Sequence, residues 1–241
     1  MISVCMATYN GITYLEQQVD SILQELNPDD ELIVSDDDSS DGTLELLINL
    51  QVRDSRLVIL KGPGLGLIKN FENALNNAQG NIIFLADQDD VWLKGKVCIM
   101  LAGLDHHDLI VSNCFVTDKD LNCRPELFFD INGFGAGIFK NLYKNKYLGC
   151  CMAFKANVLK KALPFPNNIP MHDWWLGLIA DLYFNVGFSQ VPTLKYRRHG
   201  ENSSDTSEQS SYSFSNKIKF RCSISISLIA NLLTSTIKST N

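Results

Sequence analysis

Short apolar runs alternate with amphipathic stretches through the first half of the chain. Ile2 to Ala7 is an apolar run of strand length, closed by the turn Thr8-Tyr9-Asn10-Gly11. Leu15, Val19, Ile22, Leu23 and Leu26 then recur at helical spacing, with Thr13 and Glu16 placed as a capping box and Asn27-Pro28-Asp29-Asp30 as the stop. Glu31 to Ser35 predicts a second strand, and the polar DDDSSDG after it leads into a helix with Leu44, Leu47 and Ile48 inward. Leu57 to Leu60 is a third strand, Gly62-Pro63-Gly64-Leu65-Gly66 a loop, residues 67 to 78 a helix, and Ile82 to Ala86 a fourth strand.

The second half is less regular. Asp108 to Val116 reads as a strand and residues 118 to 146 as a loop-rich stretch carrying Gly133, Gly135 and Gly137. Residues 155 to 162 and 172 to 184 have helical patterning, and Val191 to Tyr196 is extended. Residues 201 to 215 are polar and serine-rich, as in a linker, and an amphipathic helical tail follows. Strands alternating with helices predict an α/β domain on a mostly parallel sheet, in which ligands bind beyond the carboxyl ends of the strands. The polar clusters at Thr8-Tyr9-Asn10, Asp36-Asp37-Asp38 and Asp87 to Asp90 all fall at such ends, which predicts one site.

Composition narrows the function. A formal net charge of -6 excludes a general nucleic-acid binder, which needs a basic face. Seven cysteines form no C-x-x-C pair, so they read as reduced cytosolic thiols, neither a disulfide framework nor a zinc site. The N-terminus begins on a strand with no signal peptide, and the apolar stretch near Ile224 to Leu233 is too short and serine-rich to span a bilayer.

The acidic clusters carry the chemistry. Asp87-Gln88-Asp89-Asp90 follows an apolar run, and carboxylates at i and i+2 beyond a strand can approach one hard cation, Mg²⁺ or Mn²⁺, together with substrate phosphate. The plainer alternative is a solvated acidic turn capping a helix from Trp92, with Asp90 near its N-terminus. In the second cluster an Asp can accept a hydrogen bond from a nucleobase, while Ser39, Ser40 or Asp41 caps the next helix. A calcium-loop reading fails because Ile48 stands where a bidentate Glu is required. His172-Asp173-Trp174-Trp175 opens a helix: Asp173 is either a helix-start residue or a general base flanked by aromatic walls. Tyr196-Arg197-Arg198-His199-Gly200 is either a solvated basic turn or a diphosphate holder with a metal-binding imidazole. The chain contains no G-x-G-x-x-G after its first strand, no P-loop and no G-x-S-x-G.

The stretches CMATYNG, IVSDDDSSDGT, Gly66 to Gly80 with Lys69-Asn70-Phe71, NIIFLADQDDVW, LGCCMAF, MHDWW and YRRHGENSS, in this order over about residues 1 to 205, resemble glycosyltransferase family 2. These are inverting sugar-nucleotide transferases of the GT-A fold, and the likeness is strongest to the bacterial O-antigen, capsule and rhamnosyltransferase branch. The resemblance implies a Rossmann-like sheet with a C-terminal helical extension. It implies a GT-A domain over 1–204, divided into a nucleotide-binding half (1–104) and an acceptor-binding half (105–204), followed by a linker and tail over 205–241. By position it gives Thr8, Tyr9, Asp36, Asp37, Lys69 and Asp87 to the nucleotide and Asp89 and His199 to Mn²⁺ or Mg²⁺. Asp173 takes the catalytic base, and Gly149, Cys150, Trp174, Arg197 and Arg198 the acceptor and diphosphate. Two positions depart from the family pattern: Asp38 stands in a glycine's place, and His172 precedes the base where many relatives have an acid.

The implied partners are a UDP- or dTDP-hexose donor and a saccharide or undecaprenyl-diphosphate-linked acceptor. The enzyme would be cytoplasmic, with peripheral contact to the inner membrane face through residues 212–237, where Lys217, Lys219 and Arg221 interleave with Phe214, Ile218 and Phe220. Rival readings are a metal-dependent sugar-phosphate nucleotidyltransferase, which lacks its glycine- and lysine-rich entry loop here, and a non-catalytic carbohydrate-binding protein on the same fold.

Overall fold

The structure is a computed structural model that describes residues 1–200 and 213–239. The first half builds β1 (Ile2–Thr8), α1 (Leu15–Leu23), β2 (Glu31–Asp36), α2 (Thr43–Arg53), β3 (Leu57–Lys61), α3 (Leu67–Asn76), β4 (Ile82–Ala86), β5 (Val91–Trp92) and α4 (Lys96–Leu104). The second half adds β6 (Leu109–Thr117), β7 (Cys123–Leu127), α5 (Phe128–Asn132), α6 (Ile138–Tyr143), β8 (Met152–Lys155), α7 (Leu159–Ala162), α8 (His172–Tyr183), β9 (Val186–Arg197) and α9 (Phe214–Ser239).

One nine-stranded sheet carries both halves, in the order β3-β2-β1-β4-β8-β6-β9-β5, with β7 beside β6. The first four strands are parallel, as the strand–helix alternation requires. Beyond β4 the sheet is mixed: β8 runs antiparallel to β4 and β6, while β9 runs parallel to β6. Every residue of β1 and β2 is buried, as expected of central strands covered on both faces. The register pairs Thr8 with Asp36 and Met6 with Ala86, so β1, β2 and β4 end close to level. Their next residues therefore open onto one shared edge.

Several local expectations give way to tertiary contacts. Thr13 and Glu16 form no capping box: the carbonyl of Gly11 accepts the N–H groups of Tyr14 and Leu15, and Glu16 pairs with Arg53 at 2.8 Å. In α2, Leu47 and Leu50 are buried while Leu44 and Ile48 are exposed. Thr43 sets this rotation, because its buried hydroxyl donates to Asp41 and accepts from the N–H of Gly11, and a helix turns about 100° per residue from that anchor. No helix starts at Trp92, which instead pairs with Leu194 in the sheet; the helix begins at Lys96. The 155–162 stretch contributes a strand ending at Lys155 and only a short helix, and the Val191 strand extends back to Val186. The linker expected over 201–215 falls mostly outside the described residues.

Candidate active site

The shared edge opens into a cleft of about 570 Å³ whose wall includes Thr8, Tyr9, Asp37, Asp87, Asp89, Gly149, His172 and Asp173. The end of β1 is fixed first. Asn70 on α3 donates its side-chain amide to the carbonyls of Thr8 (3.1 Å) and Ser35 (2.8 Å), tying two strand ends to a helix. Gln88 clasps Tyr9 by its backbone, accepting its N–H at 2.9 Å and donating to its carbonyl at 3.2 Å. The Tyr9 ring stays exposed at the cleft mouth. A Cβ on Gly11 would lie 2.5 Å from Gln88 Oε1, so a larger residue there would push the Gln88 amide off Tyr9.

The two acids after β2 have different tasks. Asp36 faces inward: it accepts the hydroxyl of Thr8 at 3.1 Å and both the N–H (3.1 Å) and hydroxyl (2.6 Å) of Ser39. It orders the turn and is not part of the cleft wall. Asp37 is part of it, its two oxygens accepting the N–H groups of Gly64 (2.7 Å) and Gly66 (2.8 Å). Asp38 adopts φ 59°, the left-handed conformation for which glycine is usual and Asp among the better substitutes. The departure at this position is thus conformationally matched.

Three carboxyls converge on the cleft from the loop after β4 and the first turn of α8. Asp87 is pushed up to about 8 by burial and by the nearby Asp89 and Asp173. Asp173 is pushed up to about 6 by burial, against hydrogen bonds from the N–H groups of Trp174 (2.6 Å) and Gly149 (3.0 Å). Asp89 is held by His199, whose Nε2 lies 2.8 Å from Oδ2. Asp90 is wholly buried, so it is no solvated cap; it accepts the N–H of Arg197 at 3.0 Å, and burial with the neighbouring Asp89 and Asp87 holds its carboxyl far above the usual range.

A divalent cation fits these groups. Acids this close resist full ionisation until a cation joins them, and paired carboxylates suit a hard divalent cation. Asp87, Asp90 and Cys150 also place ligand atoms within 4.8 Å of one another. Neither Asp90 nor Cys150 lines the cleft, and a thiol is a poor partner for hard ions; Asp87 and Asp89 both line it, with His199, itself not part of the wall, against Asp89.

Several expected site residues are turned elsewhere. Lys69 binds Glu72 at 2.5 Å and the carbonyl of Phe165. Cys150 is buried, its carbonyl accepting the ammonium of Lys96 at 2.9 Å. Arg197 is a clamp: its guanidinium donates to the carbonyls of Asp89 and Lys119 (both 2.6 Å) and to Gln17 (2.7 Å), and lies over the Tyr14 ring. Arg198 folds over Tyr196. Trp174 is half-buried with its indole N–H on the carbonyl of Asn141, while Trp175 fills the core. Gly149 lines the cleft beside Asp173. Sequence alone does not single out Asn70, Gln88 and Lys96, because their partners are distant along the chain; the Lys69-Asn70-Phe71 match is the one signal for the first.

Residues 3–163 match the profile of Glycosyl transferase family 2. TuaG of Bacillus subtilis, a glycosyltransferase named for teichuronic acid biosynthesis, is 34% identical over 204 residues, covering 79% of this chain and 76% of its own. The Escherichia coli enzyme WfgD, a UDP-Glc:α-D-GlcNAc-diphosphoundecaprenol β-1,3-glucosyltransferase, is 25% identical over 192 residues, 75% of this chain and 70% of its own. Among solved structures, Staphylococcus aureus TarS 1-349 in complex with UDP-GlcNAc aligns with a TM-score of 0.66 at 19% identity, over 86% of this chain and 61% of TarS 1-349. A Pyrobaculum calidifontis mannosyltransferase in complex with GDP-Man and Mn²⁺ aligns at 0.59 and 17% identity, over 82% of this chain and 56% of its own. This chain thus spans about 60% of those solved chains, and their likeness bears on the fold. By family profile and fold together, the chain belongs to glycosyl transferase family 2 and is a glycosyltransferase built on the GT-A fold.

Proposed function

We propose that the chain transfers a hexose, with inversion, from a nucleotide-sugar to a saccharide acceptor carried on a lipid diphosphate, in the assembly of a bacterial surface polysaccharide. The observation that carries this reading is Asp173. Its carboxyl is fixed by two backbone N–H groups, faces the cleft that also holds Asp87 and Asp89, and is raised to about 6. A base matched to neutral pH in that position takes the proton from an acceptor hydroxyl as its oxygen attacks the anomeric carbon. Attack opposite the departing diphosphate inverts the configuration, and no covalent intermediate with the enzyme is needed.

In this reading residues 1–104 hold the nucleotide and 105–204 the acceptor. Asp37 and the exposed Tyr9 ring receive the base and ribose, with Thr8 shaping the floor. Asp87, Asp89 and His199 hold Mn²⁺ or Mg²⁺, which when bound supplies positive charge to the leaving diphosphate. The mannosyltransferase with Mn²⁺ and WfgD with its diphosphoundecaprenol acceptor support the cation and the lipid-linked acceptor.

Such an acceptor lies at a membrane, and α9 offers a face for it. Among the described residues no helix is long and apolar enough to cross a bilayer. Ile224 and Leu228 dock α9 on the domain, while Ile226, Ile229 and Leu233 remain exposed, with Lys217 and Lys219 on the turns before. An apolar stripe with basic neighbours suits an anionic lipid surface, which would place the enzyme at the inner face of the membrane.

The test is release of nucleoside diphosphate from UDP-, dTDP- and GDP-sugars, with Mn²⁺, Mg²⁺ or chelator and a lipid-linked saccharide acceptor. Metal-dependent release from one donor, lost in Asp173→Asn, is the expected result. Release of pyrophosphate from a nucleoside triphosphate and sugar phosphate would overturn it.

A further inference from the structure

His172 opens α8, and its imidazole stacks on Phe71 of α3 with ring centroids 3.9 Å apart and planes 20° from parallel. The residue is 3% exposed, and neither ring nitrogen has a hydrogen-bond partner among the described residues. Native proteins pair nearly all such buried polar atoms, so an idle pair calls for a partner. The ring nevertheless belongs to the cleft wall. Its Nε2 would lie 3.3 Å from a Cβ at position 149, so a side chain there would crowd this edge of the ring beside Asp173.

Burial pushes the His172 imidazole down to about 3, so at neutral pH it carries one N–H donor and one bare nitrogen acceptor. Stacking on Phe71 requires neither; a phenyl ring would serve. The surroundings show what the nitrogens suit. On one side Phe71 follows Asn70, which ties the ends of β1 and β2 on the nucleotide wall. On the other side is Asp173, the proposed base. A donor with its nucleotide on the first side and its anomeric carbon facing the second has its hexose between them, next to His172. A hexose hydroxyl both donates and accepts, which complements such an imidazole.

We propose that His172 is a sugar-binding residue, hydrogen-bonding a hydroxyl of the donor hexose and taking part in the choice among nucleotide-sugars. The inference rests on the nucleotide-sugar reading above.

The test measures dissociation constants by calorimetry, with Mn²⁺, for UDP-glucose, UDP-N-acetylglucosamine and dTDP-rhamnose against bare UDP and dTDP. His172→Phe keeps the stack and removes both nitrogens; His172→Gln keeps a donor and an acceptor. The Phe variant should lose about tenfold or more in affinity for the preferred nucleotide-sugar, the worth of one well-made hydrogen bond. Its affinity for the bare diphosphate should stay within about twofold, and Gln should recover part of the loss. Unchanged nucleotide-sugar binding in the Phe variant, as for a histidine serving a buried water or the core alone, overturns the inference. Equal losses for sugar-nucleotide and bare diphosphate overturn it too. Melting curves identify a variant that fails to fold; if Phe fails, an unchanged ratio of kcat/KM between two donors in the Gln variant is decisive against it. A wild-type protein that binds neither diphosphates nor nucleotide-sugars defeats the underlying reading as well, whereas binding without the His172 contrast defeats this inference alone.

Discussion

Nε2 of His199 lies 2.8 Å from Oδ2 of Asp89, a contact between residues 110 apart that joins the exit of β9 to the loop after β4. Arg197 reinforces the same join, donating to the carbonyl of Asp89 while its own N–H meets Asp90. The acidic loop is therefore positioned from the far end of the domain. This explains how consecutive carboxyls are kept in one arrangement despite their repulsion.

Metal use should follow from that contact. Asp89→Ala is expected to abolish Mn²⁺-dependent donor binding. His199→Ala should raise the Mn²⁺ concentration for half-maximal binding by about 10- to 100-fold, as the loss of a metal site's supporting partner generally does. A Mn²⁺ titration of donor binding reads both, and a His199→Ala curve that overlays wild type would remove His199 from the site.

The pH profile should report Asp173. A base with its pKa near 6 is protonated below that value, so kcat/KM should fall about tenfold per pH unit on the acid side. Asp173→Asn should lower transfer by about 100- to 10,000-fold while leaving donor affinity within about threefold. Residual transfer with an unchanged acid limb would mean that another group takes the proton.

Asp87 should set a stability cost that grows with pH. Its folded carboxyl holds a proton far more tightly than the unfolded chain does, being raised from 3.8 to about 8. Its contribution is therefore full below the unfolded value and lost as pH rises toward 8. In metal-free buffer Asp87→Asn should melt about 3 °C above wild type at pH 8, with the difference vanishing near pH 4. Donor turnover should fall in the same variant. A melting difference that stays constant across this range would refute the assignment.

Lys96 should couple stability to catalysis. Its ammonium is fully buried, donates to the Cys150 carbonyl (2.9 Å) and the Thr193 hydroxyl (3.2 Å), and lies over the Trp92 ring. The Cys150 carbonyl belongs to the turn whose Gly149 N–H holds Asp173. Lys96→Met should cost about 2 kcal/mol by taking the donor from the buried Cys150 carbonyl, a fall of about 4–8 °C in Tm. It should also lower kcat more than donor affinity. Normal kcat in a destabilised variant would confine Lys96 to the core.

The parallel half of the fold was legible because central strands leave short apolar runs and their helices leave a periodic stripe. Helix rotation was less legible: Leu44 and Ile48 are as apolar as Leu47, and only the anchoring of Thr43 to Asp41 and Gly11 turns them outward. Met152–Lys155 carries no strand signal of its own because four residues give little periodicity; its place between β4 and β6 defines it. At the site, the residues ending strands were readable as a group, and the family likeness singled out Asp173. Lys69, Cys150 and Arg197, assigned to the ligand by their motifs, bond instead to protein groups, Glu72, Lys96 and Gln17. Position next to a motif did not determine which way these side chains point.

The outer face of α9 makes the membrane reading separable from folding. Its docked side is well tied: Ile224 and Leu228 are buried, Asn231 accepts the Tyr183 hydroxyl at 2.9 Å, and Arg221 donates to the carbonyls of Leu142 and Tyr143. Ile226, Ile229 and Leu233 lie outside these contacts, so replacing all three with Asp should leave Tm within about 1 °C, as surface changes away from buried groups usually do. Wild type should float with vesicles containing phosphatidylglycerol at low salt and less so with purely zwitterionic ones. The triple variant should remain in the soluble fraction with both. Transfer to a short water-soluble acceptor should be unaffected by the change, while transfer to the lipid-linked acceptor should drop. Equal flotation of the two proteins would assign the exposed stripe some other role.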